Sequence, residues 1–314
     1  MKSIEEITYW TWSDLLATLK HCQDLQSSGI VERCLDSLVG RLAIPSEASP
    51  CASTSSLDSP GFWLACNTRS SLKHVFSQET WWFEDLSVLS PDMIEMLIKF
   101  MVSRKYNHVI IGRFLFHYQK SKFYTASPDV KHLVLETVID MLYTFDTNSI
   151  SCKSLFRIYR LVLNRSISKN GRNKLECMIG SQLDQATLDN MLIPSPYWAS
   201  YLYDVNLVLR FLKAFLCRED QQISPMRIKK VGSLVDMYIA EVAPDPCLKS
   251  SKFLALVVAL PDSARGSSNE LYHAIDIYLE GDGIGESVQE NAERDGQNHE
   301  IKSSSPREQC KIIA

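Results

Sequence analysis

The sequence predicts an all-α fold, a multi-helix array of antiparallel helices, and three observations carry that expectation. Apolar residues recur at helical spacing in one segment after another. The segments are punctuated by Pro, Asp, Ser and Asn, not by the Asn-Gly or Asp-Gly pairs of hairpins. Short runs of alternating apolar and polar residues are nearly absent. A chain of 314 residues with 45% hydrophobic content can bury a sizeable core. No self-similar period stands out, although a row of antiparallel helices can resemble a solenoid with degenerate repeats.

The first helix is expected over 13–25, with Ser13 as N-cap and Leu15, Leu16, Leu19, Cys22 and Leu25 on one face. A second follows over 30–43. Pro45 then opens PSEASPCASTSSLDSPG, rich in Ser and Pro with little to bury, so residues 45–78 read as a flexible linker. Order resumes at WWFEDLSVLSPDMIEMLIKFM, where Ser90 and Pro91 supply an N-cap and a first-turn proline. Periodic segments succeed one another at 91–104, 108–121, 129–143, 151–166, 172–192, 204–217, 225–242, 247–260 and 268–279. In the third, Val134, Val138 and Leu142 form one ridge and Leu135 and Ile139 the next. From residue 281 the chain turns polar and acidic, GDGIGESVQENAERDGQNHEIKSSSPREQCKIIA, which predicts a disordered tail. The domain reading is therefore 1–44 helical, 45–78 linker, 79–280 main helical domain and 281–314 tail.

The stretch KLECMIGSQLDQATLDNMLIP, residues 174–194, carries two apolar stripes. Leu175, Met178, Ile179, Leu183 and Ala186 share one side, and Leu188, Met191 and Leu192 fall almost opposite. That pattern predicts a break near 185–187 or a helix packed between neighbours. Gln182 falls inside the first stripe, so it is expected as a buried, hydrogen-bonded peg. Asp184 points away from the stripe and is expected to cap a following turn.

The search for chemistry yields no catalytic grammar. The formal charge is -4, the pI is near 6.0, and the densest basic cluster is Arg227, Lys229 and Lys230, which argues against nucleic acid as the main partner. Nine dispersed cysteines without a CxxC pair read as reduced and intracellular. MKSIEEITYW lacks the apolar run of a signal peptide, and the longest apolar runs, such as 253–260, are far short of the roughly 20 residues that span a bilayer. No transmembrane segment and no cofactor are expected. His132 and Glu136 sit at i, i+4 without HExxH around them, so they read as a solvated contact, not a metal site. His21 beside Cys22 points a different way on a helix and makes no site either. The glycines at 281, 283 and 285 lack the strand-to-helix context of a phosphate loop, and GxSxG is absent. Glu84 and Asp85 follow Trp81, Trp82 and Phe83. They read as an aromatic anchor entering the core with an acidic helix cap behind it, which makes Trp81 and Trp82 structural and Trp81 buried.

WWFEDLSVLS, KLECMIGSQLDQATLDNMLIPS, YLYDVNLVLRFL, VDMYIAEVAPDPCLKSSKFLALVVALPDSAR and ELYHAIDIYL stand in that order along the chain. They resemble successive blocks of the plant non-phototropic hypocotyl / root phototropism two-like family, over about residues 1–280. The resemblance implies plant origin, an all-helical BTB/POZ-associated domain and a role as substrate-recognition adaptor of a cullin-based ubiquitin ligase in light- or auxin-type signalling. Members carry an N-terminal BTB/POZ domain, the cullin-binding and dimerising part, and this chain is expected to start too late to contain it. Its ending also departs from the family after Tyr278, Leu279 and Glu280, which suggests a truncated or splice form. The family further suggests a phosphotyrosine at Tyr272, against a core aromatic with its hydroxyl at the rim.

These readings converge on a non-catalytic interaction module that binds protein clients or signalling receptors, and cullin only if a BTB/POZ domain is supplied. It would be intracellular, cytoplasmic or peripheral at the plasma membrane. The alternatives are a form that binds clients without recruiting the ligase, a poorly folding fragment with an exposed apolar face, and an all-α enzyme using Asp184, Asp189 or Asp204.

Overall fold

A computed structural model describes residues 7, 9–22, 29–42, 80–163, 165, 167–217, 223–265 and 269–281. The expected linker at 45–78 and nearly all of the expected tail lie outside the described residues. Within them the fold is all-α: 13 α-helices, short 3-10 turns and no strand, with a single bridge pairing Pro194 and Tyr203. The chain divides into two compact units, Met1–Ser149 and Ile150–Ala314.

In the first unit, α1 (Trp12–His21) begins from Thr11, not from Ser13. The Thr11 hydroxyl accepts from the Asp14 N–H at 3.2 Å, and the Asp14 carboxylate accepts from the Thr11 N–H at 3.0 Å. Ser13 has no acid three residues on, so this reciprocal box moves the start back. α1 ends at its C-cap Cys22, and the continuation expected to residue 25 lies outside the described residues. Leu15, Leu16 and Leu19 pack against α2 (Gly29–Leu42), which buries Val31, Cys34, Leu35, Leu38 and Val39.

After the short α3 (Phe83–Leu86), α4 (Pro91–Ser103) starts as the sequence predicts, with the Ser90 hydroxyl accepting from the Met93 N–H at 3.4 Å. It closes with Lys105 in the left-handed region, φ 59°, and the Tyr106 N–H reaching back to the Met101 carbonyl. α5 (His108–Thr125) is capped by Asn107, and α6 (Pro128–Tyr143) by Ser127 with Pro128 in the first turn. Both predicted ridges of α6 are buried, because α4 and α5 pack against it from two sides.

The second unit comprises α7 (Cys152–Leu163), α8 (Lys169–Ser181), a 3-10 turn Leu183–Gln185, α9 (Leu188–Met191), α10 (Val205–Leu216), α11 (Pro225–Val242), α12 (Ser250–Val258) and α13 (Asn269–Gly281). α8 and α10 approach until a Cβ on Gly180 would stand 2.5 Å from the Ala214 Cβ, so only glycine fits there. α13 lies on α11, and its Tyr278 stacks on Phe253 of α12 at 4.0 Å while its hydroxyl donates to the Leu248 carbonyl at 2.7 Å.

Candidate interaction surface

Polar groups inside the second unit form a frame. The Glu176 carboxylate is 5% exposed and accepts from the Tyr159 hydroxyl at 2.9 Å and from Arg210 Nε and Nη2 at 2.9 and 3.1 Å. Burial, with the neighbouring carboxylate, pushes the Tyr159 hydroxyl well above its ordinary pKa. Asp204 caps α10 by accepting from the Leu207 N–H at 3.0 Å. Asp236 and Arg265 form an ion pair at 3.1 Å with both side chains 4% exposed. Arg265 also donates to the Val257 and Leu256 carbonyls in the last turn of α12, the latter shared with the Ala259 N–H.

The turn after α8 follows from the double-stripe pattern: the α-helix gives way to a 3-10 turn after Ser181, and the extended break at Ala186 and Thr187 falls within the expected 185–187. Gln182 begins the turn and is 3% exposed. Asp184 is not a cap. Its Oδ1 accepts from Arg227 Nη2 at 2.6 Å, and the same nitrogen donates to the Ser181 carbonyl at 2.7 Å, so the pair ties the turn to α11. The start of α9 is held instead by Asn190, whose side-chain oxygen accepts from the Thr187 N–H at 3.2 Å. Arg227 stands 43 residues from Asp184 in sequence, beyond the reach of any local pattern.

Beside this turn lies an open groove of about 530 Å³ against one face of α11. Leu188, Leu234 and Met237 supply its apolar lining, and Asp184, Asp189 and Lys230 its polar edge. The chain leaves α9 into a closed loop over 193–204. The Asp204 N–H donates to the Ile193 carbonyl at 2.8 Å, the Ser195 N–H to the Leu202 carbonyl at 3.0 Å, and the Leu202 N–H to Asp245 Oδ2 at 2.6 Å. At its tip Tyr197 is 97% and Trp198 76% exposed, their rings edge to face at 5.3 Å. No apolar periodicity marks this loop in the sequence; the signal it carries is an aromatic pair behind Pro194 and Pro196, between two helices.

Trp81 is 46% exposed and leans on Trp12 at 4.8 Å, which corrects the expected burial. The buried anchor is Trp82, 4% exposed against Phe83 and Phe114. The two indoles stand in the turn that leads into α3 and point in different directions, and which one faces in depends on where Phe114 lies, not on the local sequence. Asp85 accepts from Trp12 Nε1 at 2.9 Å, and Glu84 lies 3.1 Å from His117 Nε2. His132 and Glu136 approach to 3.7 Å along α6. Tyr272 lies half-buried on α13. Of the three carboxylates weighed for catalysis, Asp184 and Asp189 share the groove and Asp204 caps α10. Among the described residues no group of three or more His, Cys, Asp or Glu could hold a metal ion, and no helix is long and apolar enough to cross a membrane.

The NPH3 family profile matches residues 80–283. One BTB/POZ domain-containing protein of Arabidopsis thaliana is 51% identical over 287 residues, covering 89% of this chain and 56% of the relative. A second from the same plant is 34% identical over 306 residues, covering 89% and 58%, and a third 29% over 321 residues, covering 86% and 54%. The chain thus spans about half the length of the curated relatives it matches. No solved structure matches it significantly.

Proposed function

The chain belongs to the NPH3 family, and from that premise we propose that it is a non-catalytic interaction module that recognises protein clients or signalling receptors for a cullin-based ubiquitin ligase, in light- or auxin-type signalling. The observation that carries the reading is the family match over residues 80–283, together with relatives named for a BTB/POZ domain. The buried carboxylates support the non-catalytic part, since Glu176, Asp204 and Asp236 each hold two elements together or cap a helix. The site of action is intracellular, in the cytoplasm or at the periphery of the plasma membrane.

Cullin recruitment belongs to a BTB/POZ domain in this reading. The test is direct binding of a purified cullin N-terminal domain to this chain and to the same chain extended by a relative's BTB/POZ region. Binding by the extended protein alone is expected; binding by the shorter chain would overturn the division of labour. Without such a domain the chain would occupy clients and leave the ligase behind. Tyr272 is the candidate phosphotyrosine, and phosphopeptide mapping from plant tissue checks it, repeated recovery of only the unmodified peptide counting against it. An enzymatic reading draws on Asp184 and Asp189 facing one groove. Asp189→Asn would then abolish a turnover, where the interaction reading expects only a change in binding.

A further inference from the structure

We propose that two copies of the chain associate by exchanging aromatic knobs, Tyr197 and Trp198 of each copy seating in the groove between α9 and α11 of the other. This goes beyond the adaptor reading and does not rest on it.

The knob is built before any partner arrives. Its loop is closed at the base by the bonds of Asp204 to Ile193 and Ser195 to Leu202, and braced from the side by Asp245. Little further ordering is required on binding, and Tyr and Trp lose few rotamers when they are covered. Neither ring is seated on its own copy, at 97% and 76% exposure, and Leu202 beside them is 63% exposed.

Groove and knob match in chemistry. The stretch IPSPYWASYLY carries no charge, and its indole N–H and phenolic O–H are donors. The groove offers an apolar lining in Leu188, Leu234 and Met237 and a carboxylate acceptor in Asp189, Asp184 beside it being paired with Arg227. An aromatic ring with a polar tip needs this combination. The volume, about 530 Å³, lies in the range of clefts that enclose ligands of comparable size. A bilayer surface is the poorer match, because no Lys or Arg stands within the loop to meet anionic headgroups.

Area decides in favour of a reciprocal contact. Each aromatic side chain buries about 150–250 Å², so one knob and the groove wall it covers remove roughly 600–1,000 Å² together. That is the size of an incidental contact, whereas two such exchanges reach the roughly 1,200–2,000 Å² of a specific interface. The loop follows α9 directly, and α9 lines the groove, so each copy presents knob and groove side by side as a two-fold exchange requires.

Sedimentation velocity of the full chain across the micromolar range tests the proposal. A monomer–dimer equilibrium is expected. The double variant Tyr197→Ser with Trp198→Ser should weaken it about tenfold or more, the effect of removing an aromatic anchor. The groove variant Met237→Glu should weaken it to a similar extent. Both sites are exposed, so at concentrations low enough to leave the parent monomeric each variant should melt where the parent does, which separates lost association from lost fold; association itself raises the melting temperature at higher concentration. A chain that stays monomeric throughout, or a dimer that survives either variant, would overturn the proposal.

Discussion

At the scale of single residues, neighbours in sequence take opposite roles. Trp82 fills the core against Phe83 and Phe114, while Trp81 keeps one side in water. Trp82→Ala should therefore cost about 3–5 kcal/mol, and Trp81→Ala about 1 kcal/mol, the worth of its contact with Trp12. Urea denaturation of both variants checks the ordering, and equal losses would contradict it. Gln182 is buried where α8 ends, so Gln182→Leu, which keeps the volume and removes the amide, should cost about 1–3 kcal/mol. A neutral result would show that the amide supports nothing. Burial likewise sets cysteine reactivity. It pushes the Cys34 thiol up to about 11 and the Cys152 thiol up to about 12, while Cys177, Cys217 and Cys247 are exposed. Brief alkylation of the native chain followed by peptide mapping should label the exposed three and spare Cys34 and Cys152. The sign for stability follows. Folding holds Cys34 protonated, so its contribution is intact below the unfolded value of 9.0 and is lost as pH rises from there toward 11.

Among the helices, the periodic faces were legible in the sequence and the long-range pairings were not. Both ridges of α6 and the Ser90 cap of α4 stand where spacing and cap chemistry predict, because those signals lie within one or two turns of chain. The start of α1 moved to Thr11 through a capping box that could have been read from Thr11 and Asp14. Asp184 could not have been assigned, since its partner Arg227 arrives from another helix. The aromatic knob was missed for a related reason: whether Tyr197 and Trp198 are covered depends on which neighbours the fold brings near, not on the loop sequence. One element end also carries a prediction. Lys105 holds the left-handed conformation that closes α4, a position that glycine adopts without strain. Lys105→Gly should raise stability by about 0.5–1 kcal/mol, net of the greater freedom of glycine in the unfolded chain. A denaturation midpoint at or below that of the parent would mean the Lys105 side chain contributes more than its backbone costs.

For the molecule as a whole, two helical units are each built around their own core, and the family profile runs across both, from residue 80 to residue 283. The surfaces that stand out in the second unit, a groove and an exposed aromatic loop, are of a kind that meets other proteins. In the proposed division of labour the chain selects protein partners, while recruitment of the ligase resides in a BTB/POZ domain. Quantitative affinity capture from plant extract tests it most directly, with this chain and its BTB/POZ-extended counterpart as parallel baits. One shared set of client proteins is expected on both baits, with cullin added only on the extended one. Cullin on the shorter bait, or no specific client on either, would contradict it.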